Sequence, residues 1–333
     1  MKKRLDYMDI VRGICIIYMI AGHVGFGNKF FDHYIHAFHM PLFFIVSGFF
    51  YKRKNESLLL FIKKISKKVL VPYLIWSFVA LIIDNYTLLG RHTGFLHGLK
   101  IIFTTNNNEI PIAGALWFLT AFLICNIIFK ILDMTIKNEK AFIITSFIIM
   151  ICGVYLERIL KINLWLSTNA ALVGVGLMSI GFIIKKKDLI NKMMIKNNLF
   201  FIIIIIINTF LIIKTGYVNM RLNIYPNILL FIINIILSFV VYINIGTRME
   251  SIKKITKLNE YIKLLGKESI IPLCVNQFII LLYITLIYNN LAQYLPLLCM
   301  IIIRFLILFI TIISIILLVK VVDKTKLKIL FGK

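Results

Sequence analysis

The sequence is poor in charged residues, and most of its charges have one sign. Only 16% of the 333 residues are charged, and 38 lysines and arginines outnumber 14 aspartates and glutamates. Hydrophobic residues make up 60% of the chain, above the roughly 45–50% of a soluble domain. Because they fall in long runs, such as residues 202–207, the composition excludes an ordinary soluble protein. It indicates one membrane domain over residues 1–333.

The sequence also lacks features that would point to other classes. Its five cysteines lie in apolar runs without a C-x-x-C pair, so we expect small buried side chains rather than a redox or metal motif. No internal repeat or low-complexity tail is evident. No cleavable signal peptide is expected, because Arg12 interrupts the first apolar run and no small-residue cleavage site follows.

The excess of positive charge is spread between the apolar runs. The formal net charge of +24 at first suggests a nucleic-acid partner. Such a protein would gather its basic residues into one patch, whereas here they fall in the connecting loops. This distribution is typical of the positive-inside rule of membrane proteins, so we expect no nucleic-acid partner.

Ten apolar runs reach or approach the length of about 20 residues that a membrane-spanning helix needs. They cover residues 8–26, 38–51, 69–89, 112–132, 141–157, 164–184, 199–213, 227–246, 269–288 and 294–320. The second and seventh are short, and either can extend into its flanks or be partly re-entrant. Ten spans put both termini on one side, where the loops hold most of the lysines and arginines. We therefore predict an all-α integral membrane protein with about ten transmembrane helices and both termini in the cytoplasm.

The first run carries an acid, a base and an imidazole on one face. Arg12 and His23 are eleven residues apart, which on an α-helix places them within about 20° of each other and about 16 Å apart along the axis. Asp9 lies one turn before Arg12. Polar groups are costly in a membrane and usually functional. An interfacial Asp9–Arg12 ion pair and a packed His23 would also explain the pattern.

Histidines are concentrated just before and at the start of the second run. His33, His36 and His39 follow one another at intervals of three residues, and Asp32 precedes them. The spacing is compatible with a metal site, but no cysteine or further carboxylate completes a ligand set, so we expect no metal. Because the second run starts on the outer side, His39 can lie at a depth similar to that of His23.

Several stretches resemble the membrane acyltransferase-3 family, in the same order and with the same ten-helix layout. They are residues 5–23 with Asp9, Arg12 and His23, residues 38–49 (FHMPLFFIVSGF), residues 71–73 (VPY), residues 116–119 (LWFL) and residues 265–269 (LGKES). The nearer relatives that the chain resembles are small bacterial sugar O-acetyltransferases.

The resemblance implies a reaction and a catalytic set. The family transfers an acyl group from acyl-CoA to a hydroxyl, usually on a cell-surface or lipid-linked glycan. It thus implies acetyl-CoA as donor co-substrate, a sugar or polysaccharide acceptor, and a multi-pass protein of the bacterial cell membrane. His23 is implied to be catalytic, beside Asp9 and Arg12. A neutral imidazole can take the proton of the attacking hydroxyl or first accept the acyl group, and the sequence leaves both routes open.

The donor is cytoplasmic, and its phosphates need positive charge. We expect Lys64, Lys67 and Lys68, in the predicted loop after span two, to attract them, although basic residues there can equally contact anionic lipid. Relatives often carry an Arg-x-x-Arg pair where this chain has Lys64 and Lys67. Lysine keeps the charge but loses the bidentate fork of arginine.

On the acceptor side we expect substrate contacts from residues in or near the family stretches and from Arg304, a charge inside the predicted tenth span. They are His39, Ser47, Trp117, Asn276, Gln277 and Arg304. Asn276 stands where relatives commonly have a histidine, and an amide cannot act as a base near pH 7. A structural ion pair would explain Arg304 equally well, and packing would explain Trp117.

Two other classes compete with the enzyme. A transporter or flippase for an envelope glycan precursor would suit ten helices with scattered polar residues, but neither an internal repeat nor a pair of broken helices is evident. Dependence on acyl-CoA separates it from the enzyme. A membrane scaffold would leave the polar stripe of the first helix unexplained. We expect an enzyme that contacts membrane lipid and acts alone or with a separate partner.

Overall fold

The computed structural model describes residues 5–104, 110–291 and 294–333. Over these ranges the regular structure is helical, apart from one antiparallel bridge between Asn219 and Ile224. The prediction of an all-α protein is confirmed. Residues 106–109, the polar part of the longest predicted outer loop, lie outside the described ranges.

The chain forms fourteen α-helices in these ranges. They are α1 (Asp6–Val24), α2 (Lys29–His36), α3 (His39–Phe50), α4 (Leu58–Tyr86), α5 (Phe95–Thr104), α6 (Trp117–Thr135), α7 (Glu139–Leu160), α8 (Thr168–Lys186), α9 (Asn198–Thr215), α10 (Ile228–Ser251), α11 (Thr256–Lys267), α12 (Ile270–Tyr283), α13 (Asn289–Leu291) and α14 (Leu297–Lys324).

Four of the long helices begin at a side-chain cap. Ser57, Asn138, Asn197 and Asn227 precede α4, α7, α9 and α10, and each accepts a hydrogen bond from the backbone N–H three residues later. The bond satisfies one of the N–H groups that a helix start leaves without an intrahelical partner. These caps explain why these four helices begin where they do.

Nine segments of the described chain are long and apolar enough to cross a membrane. They correspond to the predicted spans except for the second, residues 38–51. That run forms α3, whose 12 residues extend about 18 Å, against a hydrocarbon core of about 30 Å. The third predicted span, residues 69–89, begins too late in the chain. Helix α4 starts at Leu58 rather than near residue 69, so Lys64, Lys67 and Lys68 lie on a helix and not in a loop.

The short α3 is packed against α8 at backbone contact. A Cβ atom on Gly48 would lie 1.9 Å from the Met178 carbonyl oxygen, and one on Gly181 would lie 1.8 Å from the Ile45 carbonyl oxygen. Only glycine fits at either position. Close packing through small residues is how helices associate where lipid removes the hydrophobic driving force. It holds α3 inside the protein, where its length need not match the bilayer.

Helix α11 was not anticipated from the sequence. It lies against the N-terminal half of α1, where a Cβ on Gly266 would be 1.9 Å from the Asp9 carbonyl oxygen and one on Gly13 would be 2.0 Å from that of Ile262. Residues 265–269, one of the family stretches, therefore serve this contact. At 12 residues, with a mixed polar and apolar sequence, α11 lacks the signal of a span.

Both ends of the described chain lie on one side of the bundle. Lys263 of α11 pairs with Asp6 at the start of α1, with 3.0 Å between Nζ and Oδ2. Lys333, the last residue, pairs with Glu268 and Asp323. Nine long apolar helices in the described chain and the short α3 between the first two are compatible with this arrangement. We name this side the cytoplasmic side, as the charge distribution predicts.

Candidate functional site

His23 lies at the outer end of α1, one residue before the helix ends. The helix stops at Val24 because Gly25 follows with a φ of 66°, a left-handed value that glycine adopts without cost. The His23 side chain is exposed to two cavities that meet at its ring and also share Gly114. The predicted catalytic histidine is thus an accessible group and not a packed helix end.

The first cavity, which we name the imidazole cavity, has a volume of about 180 Å³. His23, His36 and His39 line it from α1, α2 and α3. Its other polar walls are Trp117 at the start of α6 and three residues between α9 and α10: Tyr217, Asn219 and Arg221. Their shared cavity agrees with the prediction that His39 lies at a depth similar to that of His23.

The second cavity, the loop cavity, has a volume of about 260 Å³. Gln277 of α12 lines it beside His23, together with Arg91, Thr93 and several isoleucines and leucines. The buried Asp84 carboxylate fixes the loop that carries Arg91 and Thr93. It accepts hydrogen bonds from both backbone N–H groups, at 2.9 and 3.1 Å, and from the Thr93 hydroxyl at 2.5 Å.

Gln277 connects His23 to the backbone before α6. The Ala115 N–H donates to Gln277 Oε1 at 2.8 Å, and Gln277 Nε2 lies 3.3 Å from His23 Nδ1. Because an N–H can donate only to the amide oxygen, this contact orients the amide and leaves its NH₂ group facing His23. Gln277 thus lies between this backbone group and the His23 ring, and its predicted contact with the acceptor stays a prediction.

His36 and His39 are each oriented by a backbone carbonyl. His36 Nδ1 lies 2.8 Å from Asp32 O, and His39 Nδ1 lies 2.6 Å from Ile35 O, so each Nδ1 carries the proton. Burial is the main reason that the pKa of His36 is below its usual value, and the Arg221 charge lowers it further. In residues 5–104, 110–291 and 294–333, no three histidine, cysteine or carboxylate side chains form a group that could hold a metal ion.

Asp9 and Arg12 lie near the cytoplasmic end of α1, away from both cavities. Arg12 Nη1 is 3.7 Å from Asp9 Oδ1, and the guanidinium lies 5.0 Å from the centre of the Phe50 ring at the end of α3. Helix α3 thus runs between the depth of His23 and the depth of Arg12. About 16 Å of helix separates Arg12 from His23. The prediction that Asp9 and Arg12 belong to the catalytic set stays a prediction.

Three predicted acceptor residues line neither cavity. Ser47 is two turns along α3 from His39, about 12 Å deeper. Asn276 is fully buried, and its amide donates to the Pro272 and Leu273 carbonyls of its own helix. Trp117, by contrast, forms part of the imidazole cavity as expected.

Arg304 is the third predicted acceptor residue that lines neither cavity, and it contacts the end of α1. Its Nη1 is 3.5 Å from the Val24 carbonyl oxygen, and its Nη2 donates to the Tyr288 hydroxyl at 3.0 Å. The guanidinium also stacks 4.6 Å from the centre of the Tyr288 ring. A cation at a helix C-terminus is stabilised by the helix dipole, so these contacts explain Arg304 structurally.

The lysines predicted to bind the donor are on the cytoplasmic side and exposed. Lys64 forms an ion pair with Glu56 at 2.5 Å, and this hydrogen bond lowers the pKa of Glu56. The backbone carbonyls of Lys67 and Lys68 lie against Gly332 near the C-terminus. Their role toward the donor stays a prediction.

A separate cytoplasmic pocket of about 340 Å³ is lined by Arg53, Lys54, Lys130 and Lys137, together with Glu56 and Asp133. Arg53 Nε lies 2.7 Å from Asp133 Oδ1, and the buried Lys130 donates to the Lys54 carbonyl at 2.8 Å. These bonds build the pocket and leave the exposed Lys54 and Lys137 side chains at its edge. The described residues that line it line neither His23 cavity.

Sequence reasoning missed the loop residues of the site. Tyr217, Asn219, Arg221, Arg91 and Thr93 belong to no family stretch that the sequence displays. One signal was available: Arg91 and Arg221 lie in outer loops, which the positive-inside rule leaves poor in basic residues. A basic residue there is not explained by topology.

Comparison with known proteins supports acyl transfer as the reaction. A family model for an acyltransferase domain, that of acyltransferase family 3, matches residues 5–320, which include every predicted site residue from Asp9 to Arg304. No curated protein and no solved structure matches the chain. A match over nearly the whole chain, in a multi-pass helical protein, identifies an enzyme that transfers acyl groups. The chain therefore belongs to the acyltransferase 3 family.

Proposed function

We propose that this protein is an acyl-CoA-dependent O-acyltransferase of the bacterial cell membrane, with acetyl-CoA as donor and a sugar hydroxyl of the cell envelope as acceptor. The observation that carries the proposal is the position of His23. It lies where two outer cavities meet, and the basic cytoplasmic surface lies at the other end of the same helix. The outer face of the protein can receive an envelope glycan, and the basic cytoplasmic face can attract an anionic donor.

In the proposed reaction the sugar oxygen attacks the thioester carbonyl carbon. The hydroxyl proton passes to a nitrogen of His23 as the carbon–oxygen bond forms. The carbon–sulfur bond then breaks, and the thiolate leaves as CoA with the proton that His23 returns. A general base of this kind contributes about 10²- to 10⁴-fold to the rate.

A covalent route would use the same imidazole. His23 would attack the thioester, release CoA and carry the acyl group to the sugar in a second step. Incubation with radiolabelled acetyl-CoA and no acceptor distinguishes the two routes. Label that is retained on the protein, and lost from the His23→Ala variant, supports the covalent route; release of CoA only when acceptor is added supports direct transfer.

The length of α3 bears on how far the acyl group has to travel in this proposal. Helix α3 extends about 18 Å from His39, beside the site, to Phe50, against Arg12. This is little more than half the hydrocarbon thickness of about 30 Å. We propose that the donor's phosphates stay at the cytoplasmic pocket of Lys54 and Lys137, while its pantetheine arm extends toward His23.

The experiment that tests the function is a comparison of envelope glycans by mass spectrometry, from cells with and without the protein. We expect acetyl-sized increments to disappear without it and to return with the intact protein but not with His23→Ala. Unchanged acylation together with glycan precursor accumulating inside the cell would contradict the proposal and favour a transporter.

A further inference from the structure

The environment of His23 differs from that of a histidine oriented by a carboxylate. In such a pair the carboxylate accepts a proton from one ring nitrogen and leaves the other as the base. Here the neighbour of Nδ1 is the Gln277 amide nitrogen at 3.3 Å. An amide NH₂ can only donate, so Nδ1 has to be the acceptor. A neutral His23 ring in this contact carries its proton on Nε2.

The orientation of Gln277 is fixed independently of His23. The amide oxygen accepts from the Ala115 N–H at 2.8 Å, which leaves the nitrogen directed at the ring. Ala115 belongs to the short turn Gly114–Leu116 directly before α6, and it is buried. The chain of contacts therefore runs from a rigid backbone group through one side chain to the reactive ring.

We propose that Gln277 selects the His23 tautomer with Nε2 protonated, which makes Nδ1 the basic atom of the site, and that its NH₂ group then binds the acceptor hydroxyl beside Nδ1. This inference rests on the proposed acyl transfer. Nδ1 lies on the side of the ring that faces Gln277. Gln277 lines the loop cavity but not the imidazole cavity. The acceptor hydroxyl consequently enters through the loop cavity.

The geometry also gives the hydroxyl a place to bind. At 3.3 Å the Gln277–His23 contact is longer than the usual 2.9–3.0 Å of an N–H donor bond, and is correspondingly weak. An entering hydroxyl replaces it: its oxygen accepts from the Gln277 NH₂ group and its hydrogen points to Nδ1. The proton then moves to Nδ1 as the oxygen attacks the thioester carbonyl carbon. When the carbon–sulfur bond breaks, His23 returns this proton to the departing CoA thiolate.

The sharpest variant is Gln277→Glu, which keeps the length of the side chain. One carboxylate oxygen still accepts from Ala115, but the other can only accept from His23, which draws the ring proton to Nδ1. The matched control is Asn290→Asp on α13. It makes the same amide-to-carboxylate change at an exposed position that lines neither cavity.

The direct measurement is nitrogen-15 NMR of labelled histidine in the detergent-solubilised full-length protein, which separates the two neutral tautomers. The chain has 6 histidines, so His23 is assigned by its absence from the His23→Ala spectrum. We expect the proton on Nε2 in the native protein and in Asn290→Asp, and on Nδ1 in Gln277→Glu. A proton on Nδ1 in the native protein would overturn the inference.

The second measurement is acyl transfer from acetyl-CoA to envelope glycan that mild alkali has freed of O-esters. We expect Gln277→Glu to lower kcat about 10- to 100-fold with little change in the KM for acetyl-CoA, because the base is misplaced while the donor site is intact. Unchanged kcat would contradict the inference. If the native protein transfers no acyl group, the proposed function fails, whereas the tautomer result stands or falls separately by NMR.

Discussion

The two ends of this membrane protein use polar residues in different ways. On the cytoplasmic side basic groups are held by carboxylates, as in Lys64 with Glu56, Arg53 with Asp133 and Lys263 with Asp6. On the outer side the polar groups around His23 enclose cavities, and the ring contacts an amide rather than a carboxylate. Charged groups at the cytoplasmic end therefore pair with one another, whereas the polar groups at the outer end border open cavities.

The most severe way to break this contrast is to remove His23. We expect His23→Ala to lower acyl transfer from acetyl-CoA by about 10²- to 10⁴-fold, the contribution of a general base, while the protein still inserts and purifies as a folded monodisperse species. Transfer rates in detergent and size-exclusion profiles measure both. Activity within a few-fold of the native enzyme would remove His23 from the mechanism.

The cytoplasmic end can be tested by comparing two pairs of lysines. We expect Lys54→Ala with Lys137→Ala to raise the apparent KM for acetyl-CoA about 5- to 10-fold, since these exposed lysines border the pocket. Lys64→Ala with Lys67→Ala should change it less, because Lys64 is already paired with Glu56. A larger effect of the second pair would instead support the donor site that the sequence predicts at Lys64 and Lys67.

The packing that holds α3 between the two ends has its own test. Gly181→Ala should destabilise the protein by about 1–3 kcal/mol, because the new methyl group meets the Ile45 carbonyl oxygen at 1.8 Å. Gly22→Ala is the matched control, since its methyl group would first meet Ile35 at 3.8 Å. Thermal unfolding in detergent compares the two; equal stabilities would show that α3 can move away from α8.

The smallest expected effect concerns metal. Treatment with a strong chelator should leave acyl transfer within about 2-fold of the untreated enzyme. His36 and His39 each use Nδ1 to bond a backbone carbonyl, and no histidine, cysteine or carboxylate triplet gathers in the described part of the chain. Inactivation that added zinc reverses would show instead that the imidazole cavity holds an ion.

Some of this protein follows from residue order alone. Long apolar runs have to become helices in lipid, because a helix satisfies its own backbone hydrogen bonds there. The interval between Arg12 and His23 places both on one face of α1, and the basic loops orient the chain. The family stretches point to acyl transfer, and the match over residues 5–320 bears that family out.

The tertiary structure decided the details of the site. Helix α3 could be short because Gly48 and Gly181 allow backbone contact with α8, and Gly266 brings the unexpected α11 against α1. Gln277 lies beside the His23 ring although 254 positions separate the two in the chain. The adjacent Asn276 instead donates to a backbone carbonyl of its own helix. The helical period determines which residues share a face of one helix. Contacts between helices depend on the side chains of both helices, which lie far apart in the sequence.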